Sequence, residues 1–143
     1  MKVEAVLAAK GHEVATTDPG TTLGTVAKKL RLDGIGALVV MEDQQVIGIV
    51  SERDVVHSFA LHRGEASEIP VADVMTRNVV SCKPEDKLTH VLGLMTRHRV
   101  RHLPVFEDGR LVGLISIGDA VKHRLDELEL EAAVLRDAYM AGH

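Results

Sequence analysis

Aromatic side chains are nearly missing from this 143-residue chain: it has no tryptophan, and Phe59, Phe106 and Tyr139 are the whole complement. That scarcity argues against single-stranded nucleic-acid binding, which relies on aromatic platforms for base stacking. The formal net charge of −4 points the same way. Cysteine is reduced to Cys82 alone. An intrachain disulfide framework is therefore excluded, and a reducing compartment fits. No apolar run approaches the roughly 20 residues that span a bilayer, and the N-terminus shows no signal-peptide h-region. A cytoplasmic protein without a membrane partner is expected. What remains is 45% apolar, so the core must be Val, Leu, Ile, Ala and Met. A chain of this size buries about two thirds of the surface its unfolded form exposes.

The dominant positive feature is duplication. Residues 14–56 can be laid on residues 79–121 at a constant offset of 65 positions, without a gap. The copies share Val14/Val79, Pro19/Pro84, Leu23/Leu88, Val26/Val91, Leu38/Leu103, Val40/Val105, Gly48/Gly113, Ser51/Ser116 and Asp54/Asp119. Neither copy of such a unit buries its apolar face alone, so the two are expected to pack as one module about a pseudo-twofold axis.

Each copy reads as strand, helix, strand, strand, helix. A short opening strand (14–16, 79–81) leads to a capping residue, Thr21 or Asp86. Apolar positions then recur at helical spacing: Leu23, Val26, Ala27, Leu30, and Leu88, Val91, Leu92, Met95. Two β-rich runs follow in each copy, 35–41 with 46–50 and 100–106 with 111–115, joined by hairpin-type turns. Their near-continuous apolar character implies burial on both faces. Residues 58–70 read as a helix end and linker. Beyond the repeat lie a short N-terminal helix and a C-terminal helix in which Val121, Leu125, Leu128, Ala132, Leu135 and Tyr139 alternate at steps of four and three. That is the rhythm of a helix seam, and it packs either on its own body or across a dimer.

Each copy ends in Gly, two aliphatics, Ser, two variable residues and Asp: residues 48–54 and 113–119. Ser-x-x-Asp at a strand-to-helix junction is the spacing of a capping box. The recurrence of the motif, the glycine before it and the helix N-terminus beside it also suit a bound anion. An Asp carboxylate can accept from both hydroxyls of a ribose, and the Ser hydroxyl can bind sugar or phosphate.

With these motifs, the "DVMT" of residues 73–76 and the "RHLPV" of residues 101–105, nearly the whole chain resembles a tandem pair of cystathionine-β-synthase (CBS) domains, in the form of small stand-alone bacterial CBS-pair proteins. The resemblance implies an α+β fold of two βαββα CBS repeats, 8–64 and 72–130, with a C-terminal helix over 121–143. It implies a non-catalytic regulatory module that binds an adenine nucleotide, AMP first, with ADP, ATP or NAD(H) as alternatives. S-adenosylmethionine is a further ligand of such modules. Homodimers are common in the family, and a downstream protein partner is implied but not named.

Carried over by position, one cleft would combine Asp119, Ser116 and Leu114 with Lys10, Gly11, His12 and with Ile35, Gly36, Ala37. The other would combine Asp54, Ser51 and Ile49 with Thr76, Arg77, Asn78, Val79 and with Val100, Arg101, His102. Arg53 lies inside the first motif only, where the second has Gly118, so the two clefts are not expected to bind one ligand equally. The basic stretch 97–102 reads either as a helix end whose cations complement the macrodipole or as a phosphate clamp through Arg101 and His102. The eight histidines show no ligand spacing with a carboxylate or cysteine, so no metal is expected. No nucleophile–base constellation and no P-loop occurs. A scaffold with empty clefts and a nucleotide-dependent enzyme are the competing readings, and nucleic acid is a disfavoured partner.

Overall fold

The computed structural model describes residues 1–142. The chain divides into two units, Glu13–Val79 and, separately, Met1–His12 with residues 80–142. In the first unit, strand β1 (Thr16–Thr17) is followed by helix α2 (Leu23–Asp33), strands β2 (Ala37–Glu42) and β3 (Gln45–Ser51), and helix α3 (Glu52–His62). Two 3-10 turns, Arg63–Glu68 and Val71–Asp73, complete it. In the second, helix α1 (Val3–Lys10) joins α4 (Leu88–His98), β4 (His102–Glu107), β5 (Arg110–Ser116) and α5 (Ile117–Ala141).

The duplication is preserved at the level of strand register. Ala37 pairs with Ser51 and His102 with Ser116, and both hairpins shift register at the same place, between Val40/Met41 and Val105/Phe106. Both turns carry two consecutive residues of positive φ, Asp43 (51°) with Gln44 (64°) and Asp108 (52°) with Gly109 (77°). That backbone twist matches the flanking strands and closes a two-residue hairpin. Residues 37–40 are all buried, as a strand covered on both faces requires. Leu23, Val26 and Leu30 of α2 pack with Leu38, Val40 and Val50. In the other unit Leu88, Val91 and Met95 of α4 pack with Leu103, Val105 and Ile115.

Three local expectations are corrected. The opening strand of the first copy is two residues, Thr16–Thr17, and that of the second shrinks to a single bridge, Cys82 to Val105. The reason is Pro104. Its counterpart Val39 donates its N–H to Ala15 O at 3.1 Å, a bond that proline cannot make. The cap of α2 is Thr22 rather than Thr21, its side chain accepting from Thr25 N. The cap position of α4 is Lys87, while the Asp86 carboxylate accepts from Lys83 N at 2.8 Å in the preceding turn.

Helix α1 is a core element of the second unit. Val3, Val6 and Leu7 are buried among Leu88, Val91 and Leu103. The approach is allowed by Gly113 on β5, where a Cβ would come within 2.7 Å of Leu7 Cδ2. In the first unit Gly48 plays the same part: a Cβ there would lie 2.5 Å from Met75 Sδ and 3.0 Å from Thr76 O. The glycine of each motif thus lets the segment before the repeat lie against the strand that leads into the motif. Cys82 is buried, and its thiol is pushed up to about 12 by desolvation and by Asp86, which disfavours the thiolate.

Candidate functional site

Both Ser-x-x-Asp motifs form complete capping boxes. Ser51 caps α3, with Asp54 N donating to Ser51 Oγ at 3.3 Å and Ser51 N donating to Asp54 Oδ2 at 2.9 Å. Ser116 caps α5 with the same bonds at 3.1 and 2.9 Å. The capping reading of the motif is therefore correct as far as it goes. It uses only one oxygen of each carboxylate. The capping bonds to Asp54 and Asp119 fall on Oδ2, as does Ser51 Oγ to Asp54 Oδ2 at 3.1 Å, so capping does not occupy Oδ1 of either carboxylate.

Some of the residues named from the sequence lie beside these caps within their own unit. In the first, Ile49 and Thr76 exchange backbone bonds of 3.0 and 2.9 Å, which sets Thr76 beside β3. Gly36 O accepts from Glu52 N at 3.0 Å, so Ile35, Gly36 and Ala37 enter β2 directly opposite Ser51. In the second, Arg101 O accepts from Ile117 N at 2.8 Å, and Val100, Arg101 and His102 enter β4 opposite Ser116. The structure therefore places 35–37 in the unit of Ser51 and Asp54, and 100–102 in the unit of Ser116 and Asp119. Thr76, Arg77, Asn78 and Val79 fall with Asp54, and Lys10, Gly11 and His12 with Asp119.

Arg77 and His12 are already engaged with the backbone. Arg77 Nη2 donates to Ala72 O at 3.0 Å, and His12 Nδ1 lies 3.0 Å from Val112 O. In the basic stretch, Arg97 and His98 occupy the last turn of α4, where cations complement the macrodipole. Arg99 takes the left-handed cap position, φ 55°. Arg101 is exposed and accepts from Ile117 N through its carbonyl, and His102 pairs with Ser116.

The resemblance assigns Lys10 to one cleft with Asp119 and Leu114, but it does not disclose the direct ion pair between Lys10 and Asp119. Lys10 Nζ donates to Asp119 Oδ2 at 2.6 Å and to Leu114 O at 2.9 Å. Both side chains are partly exposed, 35% and 25%. Burial alone raises the Asp119 pKa, but the hydrogen bonds from Lys10 and Ser116 outweigh it and hold the carboxyl below its ordinary 3.8. A carboxyl whose folded value is depressed contributes stability above its unfolded value, and that contribution is lost as the pH falls through the folded one. On acidification below about pH 4, wild-type protein should therefore lose melting temperature more steeply than Asp119→Asn, which has no carboxylate to protonate. Parallel slopes in an acid series of thermal melts would show that the pair contributes nothing.

Among the described residues, no group of three His, Cys, Asp or Glu side chains is arranged to hold a metal ion. No helix there is long and apolar enough to cross a membrane.

Two units with one strand register, one turn geometry and one capped Gly-x-x-Ser-x-x-Asp motif define a tandem-repeat α+β module. The CBS domain family model matches residues 9–61 and 71–126, and the chain belongs to that family as a tandem pair. The crystal structure of the CBS-domain-containing protein ATU1752 from Agrobacterium tumefaciens is similar with a TM-score of 0.85 and 41% identity, covering 87% of this chain and 99% of that one. The mitochondrial CBS domain-containing protein CBSX3 of Arabidopsis thaliana is 34% identical over 132 residues, 89% of this chain; the match spans 63% of that protein's length. At the level of the fold, the chain also resembles the CBS domain pair of protein MJ0100, solved in complex with 5'-methylthioadenosine and S-adenosyl-L-methionine. That similarity has a TM-score of 0.78 at 21% identity, covering 89% of this chain and 98% of that one.

Proposed function

We propose that the chain is a non-catalytic regulatory module of the cytoplasm that binds adenosyl ligands at its two motifs. AMP is the first candidate, with ADP, ATP or NAD(H) as alternatives. Occupancy is relayed to a protein partner through a change of shape or affinity. Such relay requires that the ligand favour one conformation over another. The observation that carries the reading is the duplicated carboxylate whose Oδ1 is not consumed by capping, set at a helix N-terminus. Donors complementary to it are the vicinal hydroxyls of a ribose. The adenosyl ligands bound by the MJ0100 domain pair support the same choice. The module acts as a homodimer, a reading supported by the exposed seam of α5.

The adenosine part should matter more than the number of phosphates. AMP, ADP and ATP should each raise the melting temperature by mass action on the native state, and GMP and CMP should do so less. Equal shifts with all the bases would remove the adenine pocket and leave an anion site alone.

A further inference from the structure

We propose that α5 pairs with the α5 of a second copy in parallel and in register, as a two-stranded coiled coil whose flanking charges set the direction. The inference rests on the homodimer reading above and adds what that reading leaves open, how the two helices run. The apolar stripe fixes the heptad. Leu125, Ala132 and Tyr139 take the a positions, and Val121, Leu128 and Leu135 the d positions. All six are exposed on the single chain, along a helix that runs unbroken for 25 residues. The positions that border such a seam, e and g, carry the charges that choose partner and orientation. Here e holds Lys122, Glu129 and Arg136, and g holds Arg124 and Glu131.

In a parallel pair each g residue meets the e residue five positions further along the other helix. Arg124 then meets the partner's Glu129, and Glu131 meets the partner's Arg136. Twofold symmetry doubles each contact, and all four are attractive while the six seam positions stay matched. An antiparallel pair brings e to e and g to g. Matching the whole stripe in that direction sets Val121 opposite the partner's Tyr139. Glu129 would then face its own copy, Glu131 likewise, and Lys122 would face the partner's Arg136. Like charges so placed oppose association. Sliding the antiparallel pair by one heptad either way relieves the repulsion, but it takes two of the six seam positions off the partner. Only the parallel pair satisfies the stripe and its borders together.

The single chain already aligns one of these borders. Arg124 is held by Glu127 and lies 4.0 Å from Glu131, so its guanidinium points along the g edge. The Glu131 side chain is 60% exposed and Arg136 is exposed, so both are accessible to a second copy. The direction also has a consequence for the ligand sites. Ser116 caps α5 and Asp119 lies in its first turn, so a parallel pair carries both Asp119 motifs at one end. In an antiparallel pair the length of the helix, about 37 Å, would lie between them.

The test is disulfide cross-linking of full-length protein carrying Val121→Cys or Leu135→Cys, one at a time, under mild oxidation. Wild type, whose only cysteine is the buried Cys82, is the control. The two positions lie about 21 Å apart along the helix, so no antiparallel register brings both against their own copies. Both variants should give covalent homodimers. Linkage of one variant alone, or of neither, in protein that light scattering shows to be dimeric overturns the parallel pair and leaves the homodimer standing. Wild type that is monomeric overturns the homodimer reading and this inference with it, and leaves the stripe to a different protein. Charge reversal gives a second measurement on exposed positions that leave the repeat bodies untouched. Arg136→Glu should raise the dimer dissociation constant about tenfold, and adding Glu131→Lys should restore most of it. A double variant no tighter than Arg136→Glu also overturns the pairing.

Discussion

Asp119→Ala should weaken adenosyl binding at its own site by about 30-fold, with only a modest loss of stability. A hydrogen bond to a charged group is worth about 1.5–3 kcal/mol, and replacement by water recovers part of what is lost. Capping alone would predict the converse, a stability loss of about 1 kcal/mol with affinity nearly intact. The geometry separates the two roles within one carboxylate, because the bonds from Ser116 N and Lys10 both fall on Oδ2. Removing Asp119 also releases Lys10, which would then attract phosphate and mask part of the loss. 5'-Methylthioadenosine, with no phosphate, is therefore the cleaner probe at this site. Asp119→Asn discriminates further, since an amide can still cap but cannot accept as a carboxylate does. Asp54→Ala should remove the other binding event in calorimetry and leave this one. Wild-type affinity in both alanine variants, with stability alone reduced, would show that the two motifs are caps and nothing more.

Where the backbone pattern is strong, the sequence is a sufficient guide. Hairpins 37–51 and 102–116 follow from β-rich runs around short turn segments, and both capping boxes follow from the Ser-x-x-Asp spacing. The failures are local and have local causes. A proline in β4 removes one donor, and the second opening strand dissolves into a bridge. Adjacent Thr21 and Thr22 are chemically equal caps, and only the tertiary path of the chain chooses Thr22. The Lys10 contact was hidden for a different reason. The repeat is recognised by identity from residue 14 onward, and Lys10/Met75, Gly11/Thr76 and His12/Arg77 share none. Nor could periodicity show that α1 is a core element of the second unit, since the helix is short and its burial depends on the missing side chain at Gly113.

The largest change of state is expected from the seam of α5. The helix runs 25 residues, of which only Ala120 is fully buried. Val121, Leu125, Leu128, Leu135 and Tyr139 are 42–71% exposed, and Ala132 is exposed with them. The stripe is largely open to solvent in the single chain, as the dimer proposed above requires. An apolar row of this length on a lone chain is a contact surface awaiting a partner, and the alternating steps of four and three fit a second helix. Leu128→Glu with Leu135→Glu should convert the protein to monomer in light scattering at concentrations where wild type is dimeric. Four leucines leave the seam across the two chains. At about 1.5 kcal/mol or more each, the dissociation constant should rise at least about 10,000-fold. Both positions are exposed in the single chain, so the repeat bodies should keep their melting behaviour apart from the loss of dimer coupling. This pair is cleaner than truncation after Lys122. Truncation would also delete Glu127 and Arg124, which tie the N-terminal amine of Met1 to α5. A doubly substituted protein that remains a dimer would move the interface to the repeat bodies and leave the seam of α5 for some other partner.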